Sequence, residues 1–100
     1  RDMFISGGEN VYPVEVEAAL VEHAAVREVA VIGIPDDRWG EVGCAFIVPA
    51  QGANPAPEEL ALHCQRLIAR YKVPKEFRVV DSLPRTGSGK VMKHVLKQGL

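Results

Sequence analysis

The spacing of hydrophobic and polar positions changes several times along this chain, and each change marks an element. Met3-Phe4-Ile5 is a short apolar segment, Ser6-Gly7-Gly8-Glu9-Asn10 has the composition of a turn, and Val11-Tyr12 is apolar again. That order predicts a tight strand-turn-strand element. Pro13 ends it and suits the first position of a helix, where its missing N–H costs nothing. Glu15 and Glu17 then lie near the positive end of the helix dipole, and Val16, Ala19, Leu20 and His23 share one face, so a helix is predicted from Val14 to Glu22. Val26 to Ile34 is rich in β-branched residues and closes at Pro35-Asp36-Asp37, and Cys44-Ala45-Phe46-Ile47-Val48 stops at Pro49. Both read as strands, and neither alternates cleanly, which predicts a sheet covered on both faces.

Gln51 to Pro57 has loop composition, and Pro57-Glu58-Glu59 reads as the opening of a second helix whose buried face is Leu60, Cys64, Leu67 and Ile68. Phe77-Arg78-Val79-Val80 reads as a third strand. Leu83 to Gly89 reads as a loop, and Lys90 to Gln98 as a last helix with Val91 and Val95 turned inward. The order predicts an α+β fold: a small mixed β-sheet with flanking helices, preceded by a β-hairpin-like element.

Composition narrows the class. One hundred residues, 47% hydrophobic and 25% charged, fit one soluble globular domain and exclude collagen-like, coiled-coil and wholly disordered chains. No apolar run approaches the ~20 residues that cross a bilayer, and Arg1-Asp2-Met3-Phe4 lacks the layout of a secretion signal, so a cytoplasmic location is expected. Cys44 and Cys64 lie in apolar stretches and read as buried, reduced thiols. His23, His63 and His94 are scattered without metal-ligand spacing, so no metal site is expected from this chain alone. The net charge of −1 hides an asymmetry: residues 1–69 hold 4 Lys/Arg and 11 Asp/Glu, whereas residues 70–100 hold 8 Lys/Arg and 2 Asp/Glu. A basic final third suits an anion such as a nucleotide, and equally serves solubility.

Arg85-Thr86-Gly87-Ser88-Gly89-Lys90 allows two readings: a glycine-bearing loop that brings backbone and an ammonium to a phosphate, or a plain loop in which Ser88 caps a helix. It is not a Walker A loop, because Pro84 stands where that pattern has glycine and Val91 where it has Ser or Thr. A lysine in the first turn opposes the helix dipole, which favours a functional reason for it. Gly40-Glu41-Val42-Gly43 has the letters of an RNA-clamping loop, but Glu41 would face phosphates and a strand follows. Lys90, Lys93 and Lys97 at helical spacing read as a solvated face rather than a nucleic-acid contact. On chemistry alone, Gly7 and Gly8 read as tight backbone geometry before ligand passage.

Taken together, Asp2-Met3, Ile5-Ser6-Gly7-Gly8-Glu9-Asn10-Val11-Tyr12-Pro13 and its continuation to Glu17, Pro35-Asp36 with Gly40-Glu41, Tyr71-Lys72-Val73-Pro74, and Pro84 through Lys90 resemble the C-terminal domain of adenylate-forming enzymes, with wording similar to acyl-CoA synthetases. The resemblance covers essentially the whole chain. It implies that residues 1–100 are one C-terminal domain, that the large N-terminal domain lies outside this sequence, and that Asp2 stands at the interdomain hinge. It implies an acid-thiol ligase acting in two steps: a carboxylate and ATP give acyl-adenylate, and CoA then displaces AMP. Lys90 matches the adenylation lysine. Gly7, Gly8 and Glu9 match the loop lining the pantetheine tunnel, and Tyr71 matches an aromatic position at the CoA adenine, with Lys72 and Lys75 near its phosphates; some relatives carry a basic residue where Val73 stands. ATP and CoA are the implied co-substrates, with Mg2+ expected in the full enzyme but not on this domain. The implied partners are the N-terminal domain and a carboxylic acid, with no nucleic acid and no transmembrane segment. Pro84, Gly89 and Lys90 also match relatives switched off by lysine acetylation. The alternative is a stand-alone binding module with this fold and no catalysis.

Overall fold

The computed structural model describes residues 2–100. Its centre is an antiparallel ladder between β3 (Val26–Asp36) and β4 (Gly40–Pro49), in register from Glu28 opposite Val48 to Asp36 opposite Gly40. The other edge of β4 carries two partners. β1 (Phe4–Ser6), hairpinned to β2 (Glu9–Val11), meets it at Ser6 and Gly40, and β5 (Glu76–Val79) runs parallel to it from Cys44 to Ile47. The sheet is therefore mixed and preceded in the chain by a β-hairpin, as the sequence predicts, and the hairpin joins the sheet through β1.

Both faces of the ladder are covered. Val31, Ala45 and Ile47 point to one side, where α1 (Pro13–Val21) and α2 (Pro57–Gln65) supply Val16, Leu20, Leu60 and Cys64. Ala30, Ile32, Cys44, Phe46 and Val48 point to the other, against Leu83 and Leu96 of α3 (Lys93–Gln98). Alternate residues of one strand thus feed two cores, which is why these strands read as continuous apolar runs. Pro13 and Pro57 open their helices at the first turn with Glu15, Glu58 and Glu59 beside them, so pre-set backbone angles and dipole-matched charge start both without a side-chain cap.

Several boundaries differ from expectation for identifiable reasons. β3 runs on through Pro35 because it is an edge strand there and needs no outward N–H. α1 ends at Val21, and His23 lies beyond it, accepting the Ala25 N–H and facing the Glu59 carboxylate at 2.8 Å. α2 ends at Gln65, which leaves Leu67 47% exposed instead of buried. α3 starts at Lys93 rather than Lys90: Val91 pairs with Arg85 as an isolated bridge, Ser88 caps nothing, and Leu96 rather than the 38% exposed Val95 enters the core. Gly40 to Gly43 lies on β4. No helix among the described residues is long and apolar enough to cross a membrane.

Cys44 and Cys64 are free and fully buried, and burial pushes each thiol up to about 11. Both are expected to resist alkylation at pH 8 in the native protein and to react promptly in denaturant, because the thiolate is the nucleophile. Thiol titration with and without urea checks this; rapid native labelling of either would contradict the packing.

Candidate functional site

The end of the ladder at Asp36 and Gly40 is built by interlocked turns. Asp36 accepts hydrogen bonds from the Arg38 and Trp39 N–H groups at 3.0 and 2.9 Å, which fixes the β3–β4 turn. The Trp39 carbonyl in turn accepts the Gly7 N–H at 2.8 Å. Gly7 and Gly8 have φ of 58° and 85°, the pair of positive angles a two-residue hairpin of this twist requires. Gly7 has a second constraint: a Cβ there would lie 2.8 Å from Trp39 Cε3.

This arrangement opens a pocket of about 470 Å³ lined by Ser6, Gly7, Glu9, Trp39, Arg70, Tyr71 and Lys75. Trp39 and Tyr71 are 40% and 42% exposed, and cations crowd the indole: the Arg38 guanidinium is 4.8 Å and the Lys75 ammonium 5.9 Å from its ring centroid. The Lys75 N–H donates to the Gly43 carbonyl at 3.0 Å, which ties the Tyr71–Lys75 segment to β4. Aromatic faces beside cations suit a flat, anionic ligand. The structure thus brings together Gly7, Glu9 and Tyr71, with Gly8 completing the turn. Lys72 lies off the pocket, its ammonium hydrogen-bonded to Glu15 at 2.9 and 3.2 Å; those bonds raise its pKa. Trp39 was not among the residues singled out from sequence. The signal available was a lone tryptophan between a turn-forming Asp36 and Gly40, but its partner Gly7 is remote along the chain.

Lys90 is at the other end. Beyond β5 the chain makes a narrow loop closed by Thr86 N–H to the Lys90 carbonyl at 2.8 Å, Lys90 N–H to Thr86 Oγ1 at 3.1 Å, and Met92 N–H to the Pro84 carbonyl at 2.8 Å. Arg85 donates to the Gly89 carbonyl at 2.6 Å and to Glu28 at 2.8 Å, so the loop is pinned to the start of β3. The Lys90 side chain is exposed and has no carboxylate partner among the described residues. From Glu28 to Asp36 is eight strand steps, about 26 Å at the rise of a β-strand. Asp2 sits apart from both ends, 2.6 Å from the Lys93 ammonium, which also meets Glu17 at 2.9 Å. Burial opposes the charge on Lys93, but these carboxylates hold its pKa above the usual lysine value.

The domain thus carries an aromatic pocket at one end of the ladder and, at the other, a lysine ammonium with no carboxylate partner among the described residues. The model of the AMP-binding enzyme C-terminal domain matches residues 15–90, and the chain belongs to that family. The 2-succinylbenzoate–CoA ligase of Geobacillus sp. (strain WCH70) is 50% identical over 97% of this chain and 20% of its own length. Among solved structures, a Mycobacterium tuberculosis fatty acyl CoA synthetase superposes with a TM-score of 0.91 at 43% identity, covering 98% of this chain and 19% of that one. The amide bond synthetase McbA from Marinactinospora thermotolerans superposes with a TM-score of 0.95 at 38% identity, covering 100% and 20%. The chain spans about a fifth of the length of the curated relatives it matches. The stand-alone module finds no support in relatives of this kind.

Two outcomes test the geometry. Gly8→Ala should cost about 1–2 kcal/mol from its positive φ alone, whereas Gly7→Ala should cost more and also shift the emission of Trp39, the one tryptophan, by displacing its ring. Equal responses in urea melts and fluorescence would contradict the contact. Glu28 is held below the usual carboxylate range, chiefly by its hydrogen bond from Arg85. The stability it adds is present above its ordinary pKa and lost as pH falls through the depressed value. Below about pH 4.5, unfolding free energy should therefore fall more steeply in the parent than in Glu28→Gln. Parallel pH profiles would contradict the pair.

Proposed function

We propose that this domain is the mobile C-terminal part of an ATP-dependent, AMP-forming acyl-CoA ligase. In the first step a carboxylate oxygen attacks the α-phosphorus of ATP and pyrophosphate leaves. In the second, the CoA thiol sulfur bonds to the acyl carbon, the acyl–oxygen bond to AMP breaks, and the thiol proton is released. The observation that carries the reading is that the Lys90 loop is pinned at Glu28 and the Gly7–Trp39 pocket is built on the turn after Asp36, at opposite ends of a ladder about 26 Å long. A single reaction centre in a large N-terminal domain can meet these two ends only in turn.

Lys90 serves the first step as the catalytic residue. Two anions must meet, and a positioned ammonium offsets their repulsion and the charge that develops on the transferring oxygens. An exposed lysine without a carboxylate partner has its charge available for this. Gly7, Gly8, Glu9 and Tyr71 serve the second step, joined by Trp39 and Lys75. The Gly-Gly turn leaves room for a narrow pantetheine arm, the aromatic faces take the adenine, and Lys75 and Arg70 meet phosphates. Asp2 is the hinge residue. One neighbour is named an amide bond synthetase, so the thiol acceptor is supported by the pocket and by relatives named CoA ligases rather than by the fold alone. Any magnesium accompanying ATP falls to the large domain in this reading. Acetylation of Lys90 would remove the ammonium and switch off the first step.

The test uses the enzyme that carries this domain. Lys90→Ala should slow acyl-adenylate formation by roughly 100- to 1,000-fold, about 3–4 kcal/mol, while thioester formation from supplied acyl-adenylate and CoA continues. Equal loss in both half-reactions, or none in the first, would contradict the assignment.

A further inference from the structure

We propose that Arg85 is a positioning residue for the Lys90 ammonium: its guanidinium clamps the backbone carbonyl next to Lys90 onto the Glu28 carboxylate of β3. The inference rests on the role given to Lys90 above and adds the means by which that lysine is held.

The loop from Arg85 to Lys90 contains Gly87 and Gly89 and is exposed throughout; a Cβ at either glycine would meet nothing within 4 Å. Such a segment has little packing to hold it. What fixes it is polar. The 2.6 Å hydrogen bond from Arg85 reaches the carbonyl of Gly89, which has a φ of 92° and stands immediately before Lys90. The second arm of the same guanidinium donates to Glu28 at 2.8 Å, and Glu28 belongs to the ladder that both cores grip. Thr86 closes the inner side by accepting the Lys90 N–H and donating its own N–H to the Lys90 carbonyl. The backbone of Lys90 is thereby held on both sides while its side chain is left free.

The chemistry calls for arginine. A guanidinium presents several N–H donors in a planar fork, so it serves a carboxylate and a carbonyl at once, whereas an ammonium is a compact point charge. Arg27 also approaches Glu28, at 3.6 Å, but makes no bond to the loop. Removing Arg85 should leave the fold and the pocket at the far end of the ladder in place while letting the tip swing. Misplacement by an ångström can cost a reaction roughly 100-fold.

The experiment compares Arg85→Met, Arg85→Lys, Glu28→Gln and Lys90→Ala in the enzyme that carries this domain, with the two half-reactions measured separately and amide exchange followed across residues 84–92. Arg85→Met should lower kcat for acyl-adenylate formation roughly 100-fold with little change in KM for ATP or acid. It should leave thioester formation from supplied acyl-adenylate unchanged, and speed exchange at residues 86–90 but not at Cys44–Val48. Arg85→Lys and Glu28→Gln, which each keep part of the clamp, should fall between. If Lys90→Ala abolishes the first step but Arg85→Met does not slow it, or if Arg85→Met slows both half-reactions equally, positioning is overturned. If Lys90→Ala leaves the first step intact, the underlying role of Lys90 fails and this inference falls with it. Should Arg85→Met not fold, adenylate formation at the parent rate in both Arg85→Lys and Glu28→Gln overturns the clamp.

Discussion

The β3–β4 ladder is the constraint on which everything else in this domain depends. Its side chains alternate into two separate cores, so neither strand can slip by one residue without moving each core set to the wrong face. A ladder gripped in this way behaves as a bar of fixed length. The remaining elements are arranged along it: the β1–β2 hairpin locks to the turn at one end, β5 carries the chain from the Tyr71–Lys75 segment toward the other, and the Lys90 loop is pinned to Glu28 there. The outward N–H of Val31 on the open edge of β3 is taken by Glu17, which also meets Lys93, so α1 and α3 are joined across that edge.

Fixed length has a chemical consequence. The pocket beside Gly7 and the ammonium of Lys90 offer different chemistry, and the domain cannot fold up to bring them together. In the proposed ligase the first step needs a cation between two anions, and the second needs that place given to a thiol on a long arm. Placing the two tools at opposite ends of a rigid body keeps each from obstructing the other. It also sets how the tools are held. The turn geometry at Gly7 and Gly8 is fixed by backbone angles and the Trp39 contact, whereas the tip of the loop before Lys90 is fixed by hydrogen bonds and the Arg85–Glu28 ion pair.

Much of this was legible in the sequence, and the rest was hidden for physical reasons. Pro13 and Pro57 followed by glutamates marked the starts of two helices, and the runs at Val26–Ile34 and Cys44–Val48 marked strands covered on both faces. The motifs at Gly7–Pro13 and Pro84–Lys90 pointed to the family that the comparisons then showed. The start of α3 was hidden because Lys90, Val91 and Met92 have helix-compatible spacing, while the bonds from Thr86 and Pro84 that keep them extended are made across the loop. Lys72 and Lys75 were indistinguishable as charges near Tyr71; the short 3-10 turn at Arg70–Lys72 sends one to Glu15 and leaves the other at the pocket. Trp39 entered the site through a contact spanning most of the first half of the chain, which no local pattern carries.

The central claim is that one rigid body presents its two ends in turn to a single reaction centre. Pulsed electron-spin distance measurement tests it most directly, with one label at Ser88 and another beside the reaction centre of the large domain in the enzyme that carries this chain. With ATP and an unreactive acid analogue the distance should be short. With an acyl-adenylate mimic and CoA it should lengthen by an amount on the order of the ladder's ~26 Å. A single distance under both conditions would contradict the account.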